Sequence, residues 1–194
     1  MPTTSLRRRE RQRMLSMALV ASPLTLFAIA AKAACVTTGA TTTCDATSPN
    51  PWSQTVGTGN NAAEDNRTVT VQSGSTISVG SANAISLRDG ANINVQNGAT
   101  VSNNATSGPG LFGTGNNTIE FRSNGTLTVD QGGSVLSNGS QRNGEAVNVM
   151  GSGNTVINNG TIRSNTAAAI WFDNLSGSTP SSTMRPASSK RTAT

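Results

Sequence analysis

Apolar residues return every eight positions through the first half of the middle of the chain, at Val69, Ile77, Ile85, Ile93 and Val101. Each of the first four has an apolar partner two places on: Val71, Val79, Leu87 and Val95. After a glycine-rich break the beat resumes at Ile119, Leu127 and Val135, with Phe121 and Val129 as partners. The pairs Val147/Val149 and Ile170/Phe172 follow. Apolar residues at i and i+2 mark short strands with one buried face. The residues between them are Thr, Ser, Asn and Gln, which suit a wet face. Between the pairs lie "QSGS", "RDGA", "QNGA", "SNGT" and "QGGS", where Gly and Asn tolerate positive φ. The pattern predicts an all-β repeat of short strands and corners.

Two architectures fit that repeat. In an antiparallel β-meander with a two-residue loop at Ser73-Gly74, Val69 would stand opposite Ser78. Directly opposed residues share a face, so successive apolar faces would then disagree. Three-residue loops restore the match but leave a flat apolar face, and the sequence shows no second apolar layer to cover it. In a right-handed parallel β-helix, three eight-residue units close one coil of about 24 residues, within the period of known solenoids. Every apolar face then points into one narrow tube, and corner asparagines can stack in ladders that satisfy each other's amides. The β-helix is the expected fold, and the meander is the alternative.

One stretch strains the beat. In "GSGNTVINNGTIRSN", Val156, Ile157 and Ile162 are expected to supply a thin core and Asn158-Asn159-Gly160 the corner. Ile157 keeps the odd-numbered phase of the preceding strands and Ile162 does not.

The N-terminus reads in three parts. Arg7, Arg8, Arg9, Arg11 and Arg13 form a cationic region, Met14 to Ala30 an apolar one, and Ala31-Lys32-Ala33 an A-x-A cleavage site. Residues 1–33 are therefore expected to be a cleavable export signal, with the mature chain beginning near Ala34. The chain has two cysteines, Cys35 and Cys44. In an oxidising compartment such a pair reads as a disulfide. The expected organisation is a cap segment over 34–66, β-helix repeats over 67–174 and an unstructured or frameshifted tail over 175–194.

Composition narrows the chemistry. The chain has no His, which excludes a Ser-His-Asp triad and argues against a zinc site. The basic pI comes from the ends: six of the 14 basic residues lie within residues 1–34, whereas Cys35 to Pro180 holds five Arg against eight acids. With no basic patch interleaved with aromatics, nucleic acid is not an expected partner. No catalytic residue and no cofactor is expected. If the chain were instead a carbohydrate-active β-helix enzyme, Asp89, Glu120 and Asp130 would be its candidate carboxylates. Asp89 and Asp130 read more simply as turn residues, Trp52 as an N-terminal cap residue, and Trp171-Phe172 as part of a coil.

The order of the segments "AACVTTGATTTCDATSPNPWSQTVGTG", "TVTVQSGSTISV" and "NTVINNGTI" resembles the N-terminal part of a bacterial autotransporter passenger, a type V secretion protein. The likeness covers Cys35 to about Phe172. It implies an exported, non-catalytic β-helix at the cell surface or outside the cell, with an adhesive role toward host-cell or matrix ligands. It also implies a C-terminal outer-membrane β-barrel translocator, for which this chain has no room. The tail "LSGSTPSSTMRPASSKRTAT" has no strand pattern. The expectation is a reading frame truncated before its barrel, leaving an uncapped coil near Phe172 and the passenger in the periplasm if no translocator serves it. A third reading is a non-functional remnant.

Overall fold

A computed structural model describes residues 34–59, 61–108 and 116–173. The expected signal, with Ala31 and Ala33 of its cleavage site, and the tail from 175 lie outside the described residues. The strands are β1 (Cys35–Thr38), β2 (Thr41–Cys44), β3 (Thr68–Val71), β4 (Thr76–Val79), β5 (Ile85–Ser86), β6 (Asn92–Val95) and β7 (Thr100–Asn103). They continue with β8 (Ile119–Phe121), β9 (Thr126–Val129), β10 (Ser134–Ser137), β11 (Val147–Met150), β12 (Thr155–Asn158), β13 (Thr161–Ser164) and β14 (Ile170–Asp173).

The strands form three walls of a parallel β-helix of about five coils. Wall A runs β1-β2-β3-β6-β9-β12, wall B β4-β7-β10-β13, and wall C β5-β8-β11-β14. From β3 onward, strands adjacent in sequence do not pair; β3 pairs with β6 in parallel, Thr68 against Asn92. The meander is thereby excluded. The first coil completes its walls with single parallel bridges, Trp52 to Ile77 and Val56 to Ile85. Trp52 also packs against the core.

Each wall stacks its inward residues in register. Val69, Ile93, Leu127 and Val156 form one column, Ile77, Val101, Val135 and Ile162 a second, and Ile85, Ile119, Val147 and Ile170 a third. Few large side chains suffice because each touches its equivalents in the coils on either side, and strands about 4.8 Å apart leave no gap between layers.

The slip in the last coil resolves differently from the expectation. One more residue separates Val149 from Thr155 than separates Phe121 from Thr126. A one-residue shift turns every side chain to the other face. Val156 therefore pairs with Leu127 and is buried, while Ile157 pairs with Thr128 on the outer face and is only half-buried. Ile157 is not a core residue. Asn158 takes the place of Val129, and its Oδ1 accepts from the Gly160 amide at 3.1 Å.

Two corners vary little beyond the first coil. Between walls A and B the turns are 72–75, 96–99 and 130–133, with positive φ at Gly74, Gly98 and Gly132, and the last shortens to 159–160. Between walls C and A, a left-handed residue recurs in each coil: Asn66, Gly90, Asn124 and Gly153. A Cβ on Gly90 would stand 2.3 Å from Asn66 Oδ1, so the glycine is required by both conformation and space. Here the ladder differs from amide-on-amide stacking. A side-chain oxygen in one coil accepts from a backbone amide in the next: Asp65 from Asp89 at 3.3 Å and Asp89 from Ser123 at 3.0 Å. This satisfies backbone donors that a tight corner would otherwise orphan.

The N-terminal end is closed by an antiparallel turn of chain. β1 pairs with β2, Cys35 opposite Cys44, and the two form a disulfide with Cα atoms 3.9 Å apart. Cys44 is fully buried beneath Val71, its register partner in the next coil. The antiparallel strand shields the edge of wall A that a further parallel coil would otherwise seek. Reducing the disulfide, or replacing Cys35 and Cys44 with Ser and Ala, is expected to cost about 2–3 kcal/mol for so short a loop. Urea unfolding with and without reductant measures it.

Candidate functional site

Beyond the first coil, whose return from wall C to wall A takes 57–67, the third corner, between walls B and C, absorbs most of the variation in coil length. Its connections run 80–84, 104–118, 138–146 and 165–169 in successive coils. The glycine-rich break in the beat falls in the longest of these.

Buried polar side chains hold these connections. Asn103 is fully buried at the inward position occupied by Val79 one coil earlier. Its Nδ2 donates to the carbonyls of Ala82 at 2.7 Å, Asn116 at 2.8 Å and Asn117 at 3.2 Å, and its Oδ1 accepts from the Ala105 amide at 2.9 Å. A second ladder climbs beside it: Asn83 Oδ1 accepts from the Asn117 amide at 2.8 Å, and Asn117 Oδ1 from the Glu145 amide at 3.2 Å. Gln141 pairs with the backbone of Asn116 through both ends of its amide, at 2.6 and 3.1 Å. A visible signal marks Asn103, because Val101 lacks the apolar partner two places on and carries an asparagine there instead.

Beside this corner the outer face of wall C carries one register column: Ser86, Glu120, Asn148 and Trp171. A polar cleft of about 310 Å³ opens at its lower end, lined by Thr55, Thr58, Asn83, Ser86, Asn116 and Glu120. Asn117 Nδ2 donates to Glu120 Oε2 at 3.2 Å and holds that carboxylate in place. Among the described residues the lining holds one acid, no cation and no aromatic ring. Asn148 is fully buried and neither polar atom of its side chain has a hydrogen-bond partner. Trp171, at the head of the column, is 39% exposed, while its neighbours Ile170 and Phe172 pack against the core.

A second hollow, of about 260 Å³, lies at the N-terminal end and is lined by Thr37, Thr42, Glu64 and Arg67 among others. Its two charges neutralise each other, with Arg67 Nε 3.4 Å from Glu64 Oε2. Asp65 is likewise matched with Arg88 at 3.6 Å.

The candidate carboxylates do not converge. Asp89 stands in the corner between walls C and A, Asp130 in the corner between walls A and B, and Glu120 on wall C. No two of them share a wall. Among the described residues no three His, Cys, Asp or Glu side chains gather to hold a metal ion, and no helix is long and apolar enough to cross a membrane.

Glu145, which the sequence offered only as one acid among eight, is the most buried of them, at 1% exposure. Burial raises its pKa; a hydrogen bond to the backbone opposes the rise, and the charge of Asp173 adds to it. A carboxylate with a raised folded pKa stabilises the fold fully below the ordinary glutamate range and loses that contribution as pH rises through the folded value. The protein is therefore expected to lose stability from about pH 4.5 upward on account of this group. Glu145→Gln removes that slope and raises the melting temperature at pH 8 relative to the unaltered chain. Thermal unfolding of both proteins across pH 4–8 measures it.

Comparison of the chain with protein-family models, with curated proteins and with solved structures finds no match. Fold and surface together define a small all-β solenoid with one variable, polar corner.

Proposed function

We propose that this chain is an exported binding solenoid of the autotransporter-passenger kind, which adheres to host-cell or matrix surfaces and performs no catalysis. One observation supports this reading above the others: variation in coil length is concentrated at the corner between walls B and C, beside a polar cleft on a rigid wall. In stacked repeats, insertions gathered on one face commonly mark the binding surface, because loops there can vary without disturbing the core. The cationic-apolar N-terminus, the Ala31-Lys32-Ala33 site and the early disulfide support an exported location, at the cell surface or beyond it. An outer-membrane β-barrel supplied by a longer reading frame or a separate chain would be its translocation partner. The alternative, a carbohydrate-active enzyme, would need two carboxylates about 5–10 Å apart, and the dispersal of Asp89, Glu120 and Asp130 gives it no support.

The test is adhesion of the exported chain to cultured epithelial cells and to fibronectin- and laminin-coated surfaces. Saturable binding is expected. Ser86→Arg, on the outer column of wall C, is expected to weaken it at least tenfold. Thr128→Arg, on the outer face of wall A, leaves it unchanged. Absence of saturable binding to every surface, or equal effects of the two substitutions, overturns the proposal. An insoluble chain that binds nothing matches the remnant reading instead.

A further inference from the structure

We infer that the outer face of wall A binds ice, setting a two-column grid of threonine hydroxyls and methyls against the prism face of the crystal. The inference goes beyond the binding-face reading and does not depend on it, because it concerns a different wall.

Strand register builds the grid. The outward residues of wall A fall in two columns: Thr41, Thr68, Asn92, Thr126 and Thr155, and beside them Thr43, Thr70, Asn94, Thr128 and Ile157. Their inward neighbours Val69, Ile93, Leu127 and Val156 belong to the core. The columns therefore face solvent: Thr41 and Asn92 are exposed, and the others are half-buried. Successive rungs lie about 4.8 Å apart and the two columns about 6.6 Å apart, within about a tenth of the two repeats of the prism face of hexagonal ice. Each hydroxyl both donates and accepts, so it can stand in for a lattice water while the methyl fills the hollow beside it.

Threonine suits any outward strand position, so the contrast between the walls decides. On wall B the matching columns read Thr76, Thr100, Ser134, Thr161 and Ser78, Ser102, Leu136, Arg163. A leucine and an arginine interrupt them. Their serines are also engaged: Ser102 donates to the Ile77 carbonyl at 3.3 Å, and Ser78 accepts from Asn104 Nδ2 at 2.9 Å. On wall C the column reads Ser86, Glu120, Asn148 and Trp171. On wall A, by contrast, the hydroxyls of Thr41, Thr43, Thr68, Thr70, Thr126, Thr128 and Thr155 make no hydrogen bond among the described residues. Their β-branched side chains are stiff at χ1, and the stacked strands fix the backbone beneath them. The grid is thus set before ice arrives, which leaves little ordering cost to binding. Neither column carries a charge, so no ion has to shed its water against the crystal.

The middle rung, Asn92 and Asn94, is the defect of the grid, and repairing it gives a test that misfolding cannot imitate. An ice hemisphere is grown slowly through a dilute solution of the full chain, and the protein in ice and in liquid is quantified. Microscopy of single crystals reads their facets and the gap between melting and freezing. Enrichment in the ice and facets on the prism planes are expected. Thr70→Arg is expected to lower the enrichment at least fivefold with unchanged circular dichroism, while Thr100→Arg, on the outer face of wall B, leaves it unchanged. The double substitution Asn92→Thr and Asn94→Thr completes the grid and is expected to raise both enrichment and gap at least twofold. The inference is overturned by exclusion of the unaltered chain from ice, by equal effects of Thr70→Arg and Thr100→Arg, or by a completed grid that binds less ice. A chain that enters ice but adheres to no cell or matrix surface upholds this inference and sinks the binding-face reading. A chain that adheres but is excluded from ice does the reverse.

Discussion

Phe121→Ala is expected to remove about 3–5 kcal/mol of stability, the cost of truncating a fully buried aromatic ring. Phe121 is the largest of the fully buried side chains. It sits in wall C between the column neighbours Leu87 and Val149, and the chain folds back on it so closely that a Cβ on Gly125 would lie 2.4 Å from its ring. The tube is narrow, and no second layer stands ready to collapse into the space. With typical domains stable by about 5–15 kcal/mol, that loss leaves little margin. Urea unfolding followed by circular dichroism measures it. Phe121→Leu, which refills most of the volume, is expected to recover more than half of the loss.

The second large effect is expected at Asn103. Asn103→Leu keeps a comparable size but strips the Ala82, Asn116 and Asn117 carbonyls of their donor and the Ala105 amide of its acceptor. Buried polar groups left unpaired cost about 1–3 kcal/mol each. Water reaches part of this corner, so the net loss is expected at about 2–5 kcal/mol. Its location distinguishes it from the Phe121 substitution. Hydrogen exchange should quicken first at Ala105, Asn117 and Thr118, around the long connection, while the amides of β3 and β6 stay protected. A uniform loss of protection along the chain would mean that Asn103 supports the core rather than the corner.

Much of the fold was legible in the sequence because the solenoid repeats its own constraints. Three beats of eight residues make one turn, and Thr68 and Asn92 stand one turn apart as partners. Parity decided the faces of β3 through β11. It failed at Ile157, where one added residue upstream reversed inside and outside, and nothing in the local composition distinguishes Val156 from Ile157. The disulfide followed from cysteine count and is formed. The cap segment held more than a cap: β2 already belongs to the parallel stack, and β1 alone is antiparallel.

The candidate site was far less legible. Ser86, Glu120, Asn148 and Trp171 become neighbours only through coil stacking, across connections of unequal length. Their spacings in sequence are therefore irregular. Glu120 was visible as an acid but was grouped with Asp89 and Asp130, which the coil sends to other parts of its cross-section. The anchor Asn103 was present as a missing beat. At Asn103 the polar residue in place of an expected apolar partner is an inward position spent on holding a loop, whereas the hydroxyl of the equally buried Ser137 has no hydrogen-bond partner.

The most direct test of the stacking is the pattern of interstrand nuclear Overhauser contacts in the isotope-labelled chain. Parallel coils predict contacts between backbone protons of Val69 and Ile93, and of Ile77 and Val101, each pair one full turn apart in sequence. Close Hα–Hα contacts between β3 and β4, with none between β3 and β6, would show antiparallel neighbours and contradict the fold, and the binding face with it.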